Sequence, residues 1–221
     1  IVGAELVGAL SFKTIYSWIH RGFLAVTEKV FRGKGKKPGT QEKRGRFNVK
    51  KTIKDRPKEV ENRKTFGHWE LDTMVSSRGQ SKGGLATFVE RKTRFYVAMK
   101  MDDRTKDSMF LAISSLYNTL TSKLLKTFTV DRGKEFACFE QVETEFGIPM
   151  YFADAYAAWQ RGSNENSNGL LREFFPKKTD LAKVTLDKLT EALVLINNRP
   201  RKCLGFKTPF DMFKHGIKKL I

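Results

Sequence analysis

The chain has 221 residues, 40% of them hydrophobic and 30% charged, with 42 Lys and Arg against 24 Asp and Glu for a formal charge of +18. That length and apolar share accommodate one main core with smaller flanks and exclude a disordered chain, while the basic excess points to a polyanionic partner, most simply nucleic acid, with anionic lipid or a merely basic surface as alternatives. Cys138 and Cys203 form no disulfide framework or zinc-ligand pattern, and no apolar run reaches the ~20 residues of a membrane span, so a soluble, cytoplasmic protein is expected.

The first residue is Ile1 rather than Met, so upstream sequence is expected to be missing. Residues 1–24 read as helical, with Ser11 as N-cap for Phe12 to His20 and Gly22 as a stop. Phe12, Ile15, Trp18 and Ile19 share one face and leave Lys13, Thr14 and Ser17 outward. This fits the recognition helix of a partial helix-turn-helix over 1–31, with Lys13 and Thr14 towards DNA, and it equally fits a small amphipathic core helix. From Arg32 to Lys58 the chain carries twelve Lys or Arg against Glu42 and Asp55, with four glycines. A flexible basic linker is expected over 32–61, either tracking a phosphate backbone or serving as a solvated tether.

Residues 62–215 alternate differently. His68 to Val75, Leu85 to Glu90 and Phe95 to Lys100 read as three strands, the last two joined by a short turn. A helix carrying Met109, Ile113, Leu116 and Leu120 follows, then a strand at 127–131, a helix near 138–146, a strand at 149–153 and a helix from Glu165. Leu186, Leu189, Leu193 and Ile196 mark another helix closed by Pro200, and Thr208-Pro209 opens a final one. Three strands followed by alternating helix and strand predict an α/β fold, a ribonuclease-H-like mixed sheet flanked by helices.

Three acids stand out. Asp72 shares a strand face with His68 and Glu70, and an acid inside an apolar strand is costly unless a cation or hydrogen bonds compensate it. Asp72 is therefore read as a metal ligand, with Glu70 as its rival. Asp131 ends a short apolar strand in Thr-Val-Asp-Arg-Gly-Lys-Glu-Phe (129–136). Glu165 begins a helix on which positions 165, 168, 169 and 172 fall within about 60° of one another; Asn164, Asn166, Ser167 and Asn168 are poor helix formers there, which marks the stripe for contacts. Asp72, Asp131 and Glu165 together suit Mg²⁺, with Mn²⁺ as a substitute and two ions in the full site, where one activates water or a 3′-hydroxyl and the other stabilises the leaving oxygen. Arg161, Arg172 and Asn168 are then expected beside DNA phosphates, and Trp159 either stacks on a base or sits in the core.

These residues lie in blocks that together resemble the IS30 family of bacterial insertion-sequence transposases, within the wider Asp-Asp-Glu transposase and retroviral-integrase group. The blocks are Phe-Gly-His-Trp-Glu-Leu-Asp-Thr (66–73), Val-Glu-Arg-Lys-Thr-Arg (89–94), Val-Asp-Arg-Gly-Lys-Glu-Phe (130–136), residues 159–172, and Asn-Asn-Arg-Pro-Arg-Lys-Cys-Leu-Gly-Phe-Lys-Thr-Pro (197–209). The resemblance implies that Asp72, Asp131 and Glu165 are the catalytic, metal-binding triad and Arg172 the basic residue two turns after the Glu. It implies a catalytic domain over 62–215 that cuts the terminal inverted repeats of an element to free a 3′-hydroxyl and joins it to target DNA, working as a homo-oligomer near the bacterial nucleoid. Arg132 in place of the usual Asn, and Ala155 and Ala158 in place of prolines, depart from the pattern. Competing expectations are a truncated, DNA-binding inhibitor of a full-length transposase and a nuclease acting on RNA·DNA hybrids.

Overall fold

A computed structural model describes residues 10–26, 49–76, 81–154 and 157–219. The chain divides into two compact units, residues 1–43 and 44–221. In the first, α1 (Phe12–His20) starts at Ser11, whose Oγ accepts the Lys13 N–H at 3.3 Å. No residue of α1 is buried. Residues 1–9 and 27–48, which carry the rest of the expected helix-turn-helix and most of the expected linker, lie outside the described residues.

The second unit is built on a five-stranded sheet in the order β3-β2-β1-β4-β5. Its strands are β1 (His68–Val75), β2 (Gly84–Glu90), β3 (Tyr96–Met101), β4 (Thr127–Val130) and β5 (Met150–Phe152). The first three pair antiparallel as a meander, and β1 pairs β4 and β4 pairs β5 in parallel. Parallel pairing requires crossovers, and these run through α2 (Lys106–Thr119) and α3 (Phe139–Phe146). The C-terminal helices are α4 (Gly162–Phe174), α5 (Leu186–Asn197) and α6 (Pro209–Lys218).

Strand alternation sends Trp69, Leu71, Phe88, Phe128 and Val130 into one core with Met109 and Ile113 of α2, Val142 of α3 and Phe213 of α6. Met74, Leu85, Val89, Tyr96 and Ala98 face the other way, onto Leu170 and Leu171 of α4 and Leu189, Ala192 and Ile196 of α5. Both faces of β1 and β2 are covered, so β2 is buried along its whole length. On the α4 side, the same alternation lines up polar side chains: His68, Glu70 and Asp72 on β1, Thr127 and Thr129 on β4, and Thr87 on β2.

Two segments differ from expectation. The chain is already packed from residue 49: Thr52 bridges Phe152, Val60 is fully buried, and the buried Arg56 donates from Nη1 to Thr129 Oγ1 at 3.1 Å. These contacts join segments far apart in sequence, so a local excess of charge could not reveal them. The fourth helix begins at Gly162, three residues before Glu165. Its N-cap, Arg161, makes no side-chain cap. Glu70 supplies one instead, its Oε2 accepting the Asn164 N–H at 2.9 Å and satisfying an orphan donor of the first turn.

Candidate active site

The parallel register sets His68 opposite Thr127 and Glu70 opposite Thr129. The same offset brings Asp131, the first residue past β4, level with Asp72. Asp131 follows the last residue of β4 and Asp72 stands two residues beyond the last β1 residue paired with it, so both acids lie where the parallel ladder ends. Asp131 Oδ1 accepts the Gly133 N–H at 2.8 Å, which folds the chain back at once. A Cβ at Gly133 would stand 2.5 Å from Glu135 Oε2, so a larger residue there would push that carboxylate from its place. The buried Glu135 takes the Thr73 hydroxyl at 2.7 Å and Arg104 Nη2 at 2.7 Å, pinning this loop to β1 beside the acids.

Arg161 occupies the gap between the two carboxylates. Its Nη2 is 3.2 Å from Asp131 Oδ2, its Nη1 is 3.4 Å from Asp72 Oδ1, and Nη1 also reaches the Leu71 carbonyl at 3.3 Å. Burial and the neighbouring Asp131 charge push the Asp72 carboxyl above its ordinary range, and Arg161 and the Thr73 N–H pull against them. Asn168 Nδ2 donates to the other oxygen of Asp72 at 3.1 Å. The fully buried Tyr96 hydroxyl donates to Asn168 Oδ1 at 2.6 Å, fixing which way that amide points. Burial drives the Tyr96 phenol well above its usual value, so it stays a neutral donor.

Glu70 has a different role from Asp72. It is fully buried, ion-paired with Arg91 Nη1, and bonded to the start of α4. It therefore ties β1 to β2 and α4, whereas Asp72, a quarter exposed, opens to the cleft. Glu165 is exposed on the first turn of α4. It lies between Asn164, held by Glu70, and Asn168, held by Asp72, within about 60° and one turn of the latter. Among the described residues no group of three His, Cys, Asp or Glu side chains is gathered closely enough to share a metal ion. Asp72 and Asp131 are brought together; Glu165 is beside them and not drawn in.

The residues expected at DNA distribute as follows. Arg161 and Asn168 are engaged with the acids, because two convergent carboxylates attract whatever donors the next helix offers. Arg172 reaches from α4 to the Val75 carbonyl at 3.0 Å and the Phe175 carbonyl at 3.4 Å, so its guanidinium rests on backbone carbonyls at the end of the helix. Trp159 is 75% exposed and belongs to no core. Lys13 is exposed and Thr14 half-buried on α1. Arg132 donates from Nε to the Ala153 carbonyl at 3.4 Å. Sequence reasoning missed Glu135, Arg91 and Tyr96; the first two sit inside the motif blocks, whereas Tyr96 had no signal apart from its strand.

The donor set passes the test for a hard divalent cation. Two carboxylates converge on a position already taken by positive charge, and oxygen is the only ligand chemistry they offer.

Residues 62–158 match the family model of the integrase core domain. A transposase for insertion sequence element IS4351 of Bacteroides fragilis is 34% identical over 224 residues, covering 97% of this chain and 67% of the relative. Transposase InsI for insertion sequence element IS30C of Escherichia coli (strain K12) is 38% identical over 185 residues, 83% of this chain. The chain belongs to the IS30 family of insertion-sequence transposases. It spans about half (48%) of the length of that Escherichia coli relative. The fold is that of retroviral integrase catalytic cores: the catalytic core of BIV integrase superposes with a TM-score of 0.56 at 19% identity, covering 70% of this chain and 98% of that core. The HTLV-2 integrase catalytic core, a trimeric form in complex with magnesium, gives 0.51 at 18% identity, covering 66% of this chain. Among the described residues no helix is long and apolar enough to cross a membrane.

Proposed function

We propose that residues 62–215 form the catalytic domain of a transposase of the Asp-Asp-Glu type, which hydrolyses a phosphodiester at the end of a DNA element and transfers the freed 3′-hydroxyl to target DNA. The observation that carries this reading is the convergence of Asp72 and Asp131 on one cationic group, the Arg161 guanidinium, with Glu165 on the adjoining helix. Asp72, Asp131 and Glu165 would hold Mg²⁺. When bound, the metal supplies charge neutralisation at phosphorus and a water or 3′-hydroxyl nucleophile of lowered pKa.

The chain's own groups do the rest. Asn168, oriented by Tyr96, holds one oxygen of Asp72 and leaves the other for the cleft. The Asp131–Gly133 turn, locked through Glu135, keeps the second acid from swinging away. Arg161 balances both acids, and where Asp72 and Asp131 held a metal its guanidinium would be free for a neighbouring phosphate. Lys13, Thr14 and Trp159, exposed or partly exposed, would touch DNA directly, with Arg172 and Asn168 beside the acids, and the excess of positive charge favours double-stranded DNA ends as substrate. A synaptic homo-oligomer would hold two such ends.

Nicking of DNA carrying element ends tests the proposal. Cleavage by the purified chain should require Mg²⁺ or Mn²⁺ and fall below detection in Asp131→Asn and in Glu165→Gln, with DNA binding retained in both. Substantial Mg²⁺-dependent cleavage by either variant would refute the triad.

A further inference from the structure

A polar recess lined by none of the three acids opens on the same unit. Its volume is about 500 Å³, within the range of small-ligand sites, and Lys54, Arg56, Arg63 and Arg91 line it, with Trp159 at one wall. Opposing these four cations are two acids, Glu61 and Asp154. Asp154 already accepts the Gln160 side-chain amide at 3.0 Å, and Arg91 is neutralised by Glu70. Lys54, Arg56 and Arg63 make no ion pair with a carboxylate among the described residues, and the buried Arg56 keeps its Nε without a hydrogen-bond partner.

The arginines also repel one another. Burial first, then the charges of Arg94 and Arg91, weakens proton binding by Arg63; at Arg91 burial is opposed by Glu70 before Arg56 and Arg94 add to it, and Glu70 also supports the charges of Arg56 and Arg63. One buried carboxylate, Glu70, is shared among these arginines, so the recess with its four cations keeps a positive surplus, and planar guanidinium groups suit phosphate. Trp159 adds a second chemistry: an indole 75% exposed offers a stacking face to a base.

The recess is joined to the acids through its own lining residues. Glu70, which anchors Arg91, is two residues before Asp72 on the same face of β1, about 7 Å away along the strand. Trp159 and Gln160 directly precede Arg161, which bridges Asp72 and Asp131.

We infer that this recess binds one unpaired nucleotide of the DNA strand next to the scissile position, its phosphate held by Lys54, Arg56 and Arg63 and its base stacked on Trp159. The inference rests on the DNA-cutting function proposed above and adds a requirement for a locally unpaired end. Duplex DNA keeps its bases stacked inward, so the recess discriminates frayed or single-stranded ends from blunt duplex.

The test measures binding without cutting, in metal-free buffer. The full chain is titrated into a blunt duplex and into the same duplex with a short single-stranded extension carrying 2-aminopurine, whose fluorescence reports stacking. The wild-type chain should prefer the extended DNA and quench the probe. Trp159→Ala should lose roughly 5- to 150-fold in affinity for the extended DNA and abolish the quenching, while Trp159→Phe retains most of both. Lys54→Ala with Arg63→Gln should flatten the log-log salt dependence on the extension by roughly 0.7 for each phosphate no longer neutralised and leave blunt-duplex binding unchanged. Thermal melts verify that each variant is folded. Quenching and preference that survive Trp159→Ala, or equal losses on both DNAs in the Lys54 and Arg63 variant, would overturn the pocket. If the wild-type chain shows the preference yet never cuts DNA with Mg²⁺, the cutting function fails and the nucleotide site stands.

Discussion

Replacing Arg161 by Gln should make the metal-free protein less stable and more responsive to divalent cations. In the wild type the guanidinium sits 3.4 Å from Asp72 and 3.2 Å from Asp131, and the three side chains are 13%, 25% and 19% exposed in the order Arg161, Asp72, Asp131. Breaking a fully buried pair costs about 3–5 kcal/mol and an exposed pair about 0–1 kcal/mol. This partly screened bridge, which serves two acids, falls between them, at about 2–3 kcal/mol. At roughly 2–4 °C per kcal/mol for a domain of this size, the melting temperature should fall by roughly 4–12 °C. The deficit also depends on pH. The folded pKa of Asp72 is raised above its ordinary 3.8, so the stability this group contributes is complete below that value and is lost as pH rises through the folded pKa. Removing Arg161 raises that pKa further, so the variant's deficit should be largest at neutral pH and shrink on acidification. A divalent ion no longer has to displace a guanidinium, and each tenfold gain in affinity adds about 1.4 kcal/mol of stabilisation at saturating ion. Differential scanning calorimetry with and without Mg²⁺ or Ca²⁺ reads both effects. An unchanged metal-free melting temperature, together with an ion response no larger than the wild type's, would refute the claim that Arg161 holds the place of a cation.

Two further outcomes are expected. Burial holds the His68 imidazole neutral and lowers its pKa from 6.5 to about 4; its contribution to stability is therefore present above 6.5 and lost as pH falls through about 4, on the order of 3 kcal/mol in all. Urea unfolding across that window should show the loss in the wild type and a shallower one in His68→Gln; parallel curves would contradict it. Glu70→Gln should cost about 3–5 kcal/mol, because it leaves Arg91 buried without its partner, whereas Asp72→Asn should keep or raise metal-free stability and abolish cleavage. Equal stabilities for the two variants would mean that the roles assigned along β1 are wrong.

The order of strands and helices was legible because each carries its own periodicity and punctuation. Ser11 and the Thr208-Pro209 pair mark the starts of α1 and α6, and the leucine spacing marks α5. The alternation of β1 placed Glu70 and Asp72 on one face but did not separate them. Their separation depends on Arg91, a partner on another strand, and on how far the cleft admits solvent. The start of α4 was misplaced for the same reason: its capping carboxylate comes from β1, ninety-four positions away. Residues 49–60 read as linker because their charge is local, whereas what fixes them, Thr129 for Arg56 and Phe152 for Thr52, is distant. Asn168 and Arg172 were visible as a polar stripe, yet a stripe does not reveal whether it faces a ligand or the protein's own carboxylates and carbonyls.

The central claim is that Asp72 and Asp131 form a metal site at present filled by Arg161 and completed by Glu165. Anomalous scattering from crystals soaked in Mn²⁺ measures this directly. The account predicts density between the Asp72 and Asp131 carboxylates, at hard-cation distances of roughly 2.0–2.3 Å, with the Arg161 guanidinium moved out and the Glu165 side chain turned in. Density elsewhere, or an Arg161 that remains between the two acids at saturating Mn²⁺, would contradict it.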